Sequence, residues 1–144
     1  MYRDTVCRIF PSMSDRQVFQ DEYFTVLVDE RMGIVRTVRS DKPFDSIAEL
    51  EGVFGRLGTA LDALGRSRYG LLADLRSVPG RNDPEFETTM ERLRPLWVGG
   101  FRKVGVLVRS SVGVMQIQRH ARRDGFQRLI SRDEDELLNY LTQD

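Results

Sequence analysis

Alternating strand and helix patterns predict an α/β fold: a mixed sheet of about six strands, about four helices and an N-terminal antiparallel hairpin. Apolar runs at residues 71–75 and 104–108 are continuous, as in strands covered on both faces. Ile47, Leu50, Phe54, Leu57, Leu61 and Leu64 follow one another at spacings of three and four, the stripe of an amphipathic helix. Glu30-Arg31-Met32-Gly33 lies between two alternating segments and marks the hairpin.

The chain of 144 residues is the size of one domain, 1–144. A chain of that length buries roughly two-thirds of its unfolded surface. Its apolar fraction of 40% and charged fraction of 31% are those of a soluble globular protein. A formal net charge of zero implies no global pull towards nucleic acid or membrane. The lone Cys7 excludes an internal disulfide and a cysteine-only metal site. Charges interrupt the first fifteen residues where a signal peptide needs its apolar core. No window approaches the ~18–20 apolar residues of a membrane span, so the expected location is cytoplasmic.

Residues 5–10 alternate Val6, Arg8 and Phe10 against Thr5, Cys7 and Ile9, a first strand that Pro11 ends. The polar segment 12–21 reads as an exposed loop. Residues 23–29 and 34–39 are the hairpin arms, with Gly33 at a positive-φ turn position. In the second arm Ile34, Arg36 and Val38 oppose Val35, Thr37 and Arg39, so one face is expected half wet. Residues 1–40 therefore form a strand and hairpin extension whose edge is open to another chain.

Asp45-Ser46 with Glu49 is a capping box, and Gly65 is a natural stop for the helix it opens. Gly52, Gly55 and Gly58 predict close backbone packing on a second face, since each weakens the helix by up to ~1 kcal/mol relative to Ala. Residues 69–75 are the most buried strand. Asn82 or Asp83 caps the next helix, with Pro84 in its first turn and Glu85 and Glu87 near its positive end. Phe86, Met90, Leu93 and Trp97 face inward, and Pro95 should kink or end this helix. Residues 104–108 form a buried strand, and Ser110 or Ser111 caps a helix to 124 with Val114, Ile117 and Ala121 inward. A short strand at 126–130 and a helix at 133–142, with Leu137, Leu138 and Leu141 inward, complete the chain.

No catalytic residue, metal or cofactor is assigned. A carboxylate in a buried strand is expensive unless hydrogen-bonded. Asp74 has no His or Cys near it in sequence, so it reads as a strand-end organiser of the next loop rather than an acid, base or ligand. Helix-end preference explains Asp83, Glu85 and Glu87 without a metal. His120 beside Arg119, Arg122 and Arg123 reads as a solvated helix face. There is no nucleophile elbow, phosphate-binding glycine loop or dinucleotide fingerprint. Arg109, Arg119, Arg122 and Arg123, with Ser110-Ser111 at a helix start, make a candidate anion-binding face. Together with Arg102, Lys103, Arg128 and Arg132 they form a basic region opposed only by Asp124. Aromatic interleaving of the kind that stacks single-stranded bases is missing, so nucleic acid ranks last among partners.

The block LLADLRSV at residues 71–78, followed by a helix capped through Asp83, resembles the central element of STAS domains. It is most similar to the SpoIIAA-like branch, which groups STAS and SEC14-type domains, and the order of elements over residues 48–141 extends the resemblance. The fold it implies is a STAS-like mixed sheet. In that family the loop after the Asp-Leu strand and the helix it opens dock a partner. In its anti-sigma-factor antagonists a serine at the helix start is phosphorylated. Here Asn82-Asp83-Pro84 fills that place, and the nearest hydroxyl is Ser77.

The resemblance thus implies a non-enzymatic regulatory or scaffold module. It would dock a protein partner through Arg76, Arg81, Asn82, Asp83 and Glu85 and lack the phosphoswitch. The alternative it implies is a SEC14-like small-ligand or lipid-binding domain, for which the chain looks short of room for a cavity. A homodimer through the hairpin edge is a further option.

Overall fold

The computed structural model describes residues 15–78, 83–124 and 127–143, and at positions 116 and 120–124 the backbone alone. It is an α/β fold built on one six-stranded mixed sheet whose strands lie side by side in chain order. The strands β1 (Asp15–Gln20), β2 (Phe24–Asp29) and β3 (Ile34–Arg39) are antiparallel. β4 (Gly70–Asp74), β5 (Val104–Leu107) and β6 (Leu129–Ser131) run parallel to β3. Helices α1 (Ile47–Asp62), α2 (Pro84–Val98) and α3 (Ser111–Asp124) are the crossovers, and α4 (Glu134–Thr142) follows β6.

The expected first strand at 5–10 lies outside the described residues. The segment read as a loop, 12–21, contains β1. Its pattern escapes an alternation test because a bulge shifts the register between Gln17 and Phe19. Arg16, Gln17 and Gln20 face solvent, while Val18 and Phe19 rest on the core. The last strand also lies later than expected, at Leu129–Ser131.

Each face of the sheet has its own core. Val35, Leu71, Ala73, Val104 and Val106 meet Leu50, Val53, Phe54, Leu57 and Leu61 of α1 and Leu93 and Trp97 of α2. On the other face Ile34, Leu72 and Leu107 meet Leu137 and Leu141 of α4. Both faces of β4 and β5 are therefore covered, which is why their sequences run apolar without alternation. At Gly105 a Cβ would lie 3.2 Å from a Leu137 methyl, so α4 seats directly on the backbone there. On β3 the face of Arg36 and Val38 is partly exposed, as expected, and the face of Val35, Thr37 and Arg39 is fully buried. Thr37 is buried and accepts a hydrogen bond from Trp97 Nε1 at 3.0 Å, Arg39 is buried, and Arg36 pairs with Glu134 at 3.0 Å.

Local capping follows the sequence. Ser46 accepts from the Glu49 N–H, and the Glu49 carboxylate reaches back to accept from the Asp45 N–H, a capping box displaced by one residue on its return bond. Asp83 caps α2, Asp133 caps α4, and the Ser110 hydroxyl accepts from the Gly113 N–H at the start of α3. Pro95 does not end α2, which continues to Val98. So near the C-terminus the missing N–H costs a single helix bond.

The last turns of α2 and α4 hold no basic residue of their own, and distant cations serve them. Arg66 donates to the carbonyls of Leu96, Trp97 and Gly99 at 2.5–3.0 Å. Lys103 donates to Tyr140 and Gln143, and Arg102 to Leu141. Two members of the expected basic region are thus spent on the end of α4.

Close packing of the α1 glycines holds at one position only. A Cβ on Gly58 would sit 3.2 Å from the Leu96 carbonyl oxygen, whereas one on Gly55 would meet nothing within 4 Å. Gly55→Ala should therefore raise stability in urea by about 0.5–1 kcal/mol, and Gly58→Ala should lower it despite the same gain in helix propensity. Equal stabilisation by both would contradict the α1–α2 contact.

Candidate functional site

The loops leaving the C-terminal ends of β3, β4 and β5 open on the helix-covered face, where ligands meet parallel sheets. A cavity of about 440 Å³ lies there. Arg39 and Phe44 form one side, and Leu75 and Val78 follow β4. Phe86, Met90 and Trp97 of α2 line another wall, and Val108, Gly113 and Ile117 close it from β5 and α3. The volume lies within the ~300–1,000 Å³ usual for small-molecule sites. It corrects the expectation that the chain is short of room. The space exists because α1 packs on α2, whereas α3 packs chiefly on β6 and leaves a gap beside α2. Val112 lines the mouth, and it and Met115 are exposed apolar residues on α3.

Arg39 is the most unusual group in the wall. It is 6% exposed, and its guanidinium lies 4.4 Å from the Phe44 ring centre and 5.6 and 5.9 Å from those of Tyr23 and Phe24. Tyr23 and Phe44 stack at 4.8 Å, which holds the two nearest rings in place. Nη1 donates to the Ser40 carbonyl oxygen at 2.6 Å. Burial pushes the Arg39 pKa below its ordinary value, opposed by Tyr23, Asp21 and Asp41.

Asp74 closes the opposite side of the β4 end. It is 4% exposed, and its Oδ1 accepts from the Arg76 N–H at 3.1 Å and from Arg76 Nε at 3.0 Å. Its Oδ2 accepts from Arg76 Nη2 at 2.7 Å. That geometry is the strand-end role read from sequence, with the arginine fork added. The hydrogen bonds to Asp74 hold the Arg76 pKa above its ordinary value, against the effect of burial. Glu134 at the start of α4 adds a second carboxylate 3.8 Å from Arg76 and pairs with Arg36. The loop after β4 is thereby tied to the helix on the far face of the sheet.

Of the expected docking residues, Arg76 lines the cavity and is held by two carboxylates, Asp83 caps α2 and accepts from the Phe86 N–H, and Glu85 is exposed in the first turn of α2. Arg81 and Asn82 lie outside the described residues. Of the expected anion-binding face, Arg109 borders the cavity and Arg119 is exposed, while the side chains of Arg122 and Arg123, like that of His120, lie outside the described residues. Among the described residues no cluster of His, Cys, Asp or Glu could hold a metal, and no helix is long and apolar enough to cross a membrane.

No family model, curated protein or solved structure matches this chain.

Sequence reasoning missed Arg39, Phe44 and Trp97 as neighbours. One signal was present: Arg39 shares the parity of Val35 and Thr37 on β3, the face that turns out to meet the helices.

Asp74→Asn keeps an oxygen for the Arg76 N–H but removes the charge under its guanidinium. With Arg76 partly exposed, the loss expected in urea is about 1–3 kcal/mol. An unchanged midpoint would contradict the strand-end role.

Proposed function

We propose that this chain is a non-enzymatic binding module that holds a small, largely apolar ligand above the C-terminal ends of β4 and β5. The observation that carries this reading is the 440 Å³ cavity, walled by Phe44, Phe54, Phe86, Met90 and Trp97 and placed where the strand-end loops converge. It favours the small-ligand branch of the STAS and SEC14-type resemblance. An enzymatic reading gains little support from the walls, since the one carboxylate lining the cavity is Glu87.

The protein-docking reading is joined to the first by one observation. Val78 and Phe86, which flank the loop expected to dock a partner, also line the cavity. A ligand pressed against them would alter the surface offered by Arg76, Asp83 and Glu85, so occupancy would regulate docking. This regulatory module acts without a phosphorylatable serine at the start of α2.

Trp97, the single tryptophan of the chain, lines the cavity and reports on it directly. Nile red, an uncharged apolar dye, should quench its emission on titration. Ile117→Phe, which fills part of the space, should weaken that binding by about tenfold, and its urea midpoint should stay the same or rise. Failure of the wild-type protein to bind either neutral or anionic apolar probes would overturn the reading.

A further inference from the structure

Several cations in and around the cavity already have partners. Arg76 is held by Asp74 and Glu134, Arg36 pairs with Glu134, and Arg66 serves the carbonyls at the end of α2. Arg39 differs. It is buried, it lines the cavity, and no carboxylate among the described residues lies within ion-pair distance of it. A buried charge without an ion-pair partner is costly, and three aromatic rings and the more distant carboxylates of Asp21 and Asp41 offset that cost only in part.

The hydrogen bonding of Arg39 is lopsided. Nη1 donates to the carbonyl oxygen of Ser40 at 2.6 Å and reaches its hydroxyl at 3.4 Å. Nε and Nη2 bond no group among the described residues, yet neither belongs to the fully buried atoms that lack a partner. These two nitrogens form one edge of the guanidinium. Their N–H bonds run nearly parallel and match the two oxygens of a carboxylate. The Phe44 ring, 4.4 Å away, and the Ser40 bond fix the plane of the fork before any ligand arrives. Arg39 lines the cavity, whose other walls are mostly apolar, and this edge of its fork is left without a protein partner among the described residues.

We infer that the cavity takes a monoanionic amphiphile, its carboxylate seated on the Nε/Nη2 edge of Arg39 and its apolar body laid against Phe44, Phe54 and Trp97. This inference rests on the small-ligand reading above and adds the chemical class of the ligand. Four arginines (Arg39, Arg76, Arg94 and Arg109) and one carboxylate, Glu87, line the cavity; Arg76 is met by Asp74 and Glu134 and Arg94 has an interaction of its own, so the sign of the charge rests on Arg39. Burial lowers the Arg39 pKa, but from a starting point so high that the group stays cationic at neutral pH. A single-chain or aromatic carboxylic acid meets these requirements. A neutral molecule of the same shape fills the cavity but leaves the charge uncompensated.

The test is a Trp97 fluorescence titration of the full chain with decanoate and with 1-decanol, equal in chain length and different in charge. Decanoate should bind about tenfold or more tightly than decanol at neutral pH. Arg39→Met, which keeps the length of the side chain without its charge, should erase the difference while still binding decanol. Arg39→Lys keeps the charge without the fork and should retain a reduced preference, which covers the case in which the Met variant fails to fold. Equal binding of decanoate and decanol by the wild-type protein would overturn the inference and leave the small-ligand reading standing. A preference for decanoate that survives in Arg39→Met would overturn the assignment to Arg39. If neither compound nor Nile red binds, the small-ligand reading falls and the inference falls with it.

Discussion

Strands that follow one another across a sheet in chain order leave their crossovers no choice of side. Successive right-handed β-α-β connections that advance in one direction place every crossover helix on the same face. Here that face carries α1, α2 and α3, and the opposite face is left to α4, the helix that follows the last strand. Both layers must be present for β4 and β5 to bury their apolar runs. The same constraint gathers the loops after β3, β4 and β5 at one end of one face. With α1 and α2 locked together at Gly58 and Leu96, and α3 lying over β6, the space between them becomes the cavity.

Two polar devices hold the ends of this arrangement. Asp74 and Glu134 clamp Arg76 from both sides, so the loop after the central strand is bonded to the helix beneath the sheet. Arg66 and Lys103 reach from other elements to the exposed carbonyls of α2 and α4, where the last turns offer no cation of their own. Arg39 is the exception among these charges. Three rings surround it, no carboxylate among the described residues lies within ion-pair distance, and it lines the cavity.

The architecture was legible because its signals are local. Continuous apolar runs marked β4 and β5, the stripe from Ile47 to Leu61 marked α1, and Ser46, Asp83 and Asp133 marked helix starts. β1 was hidden by a bulge and by the polar residues of an edge strand. The site was much less legible. Arg39 and Trp97 are far apart in sequence and become neighbours of one cavity only through the Trp97–Thr37 hydrogen bond and the ring cluster around Phe24. Charge counts misled for the same reason. Arg102 and Lys103 look like part of a basic surface until the fold brings the end of α4 to them. Asp74 was readable because its partner, Arg76, is two residues away.

The claim that the cavity is the working site is tested most directly by amide hydrogen exchange of the full chain with and without saturating decanoate. The amides of residues 75–78, 84–90 and 108–117 should exchange more slowly in its presence, while those of α4 and the β1 edge keep their rates. Protection centred on α4 or β1, or none around the cavity when decanoate is bound, would contradict it.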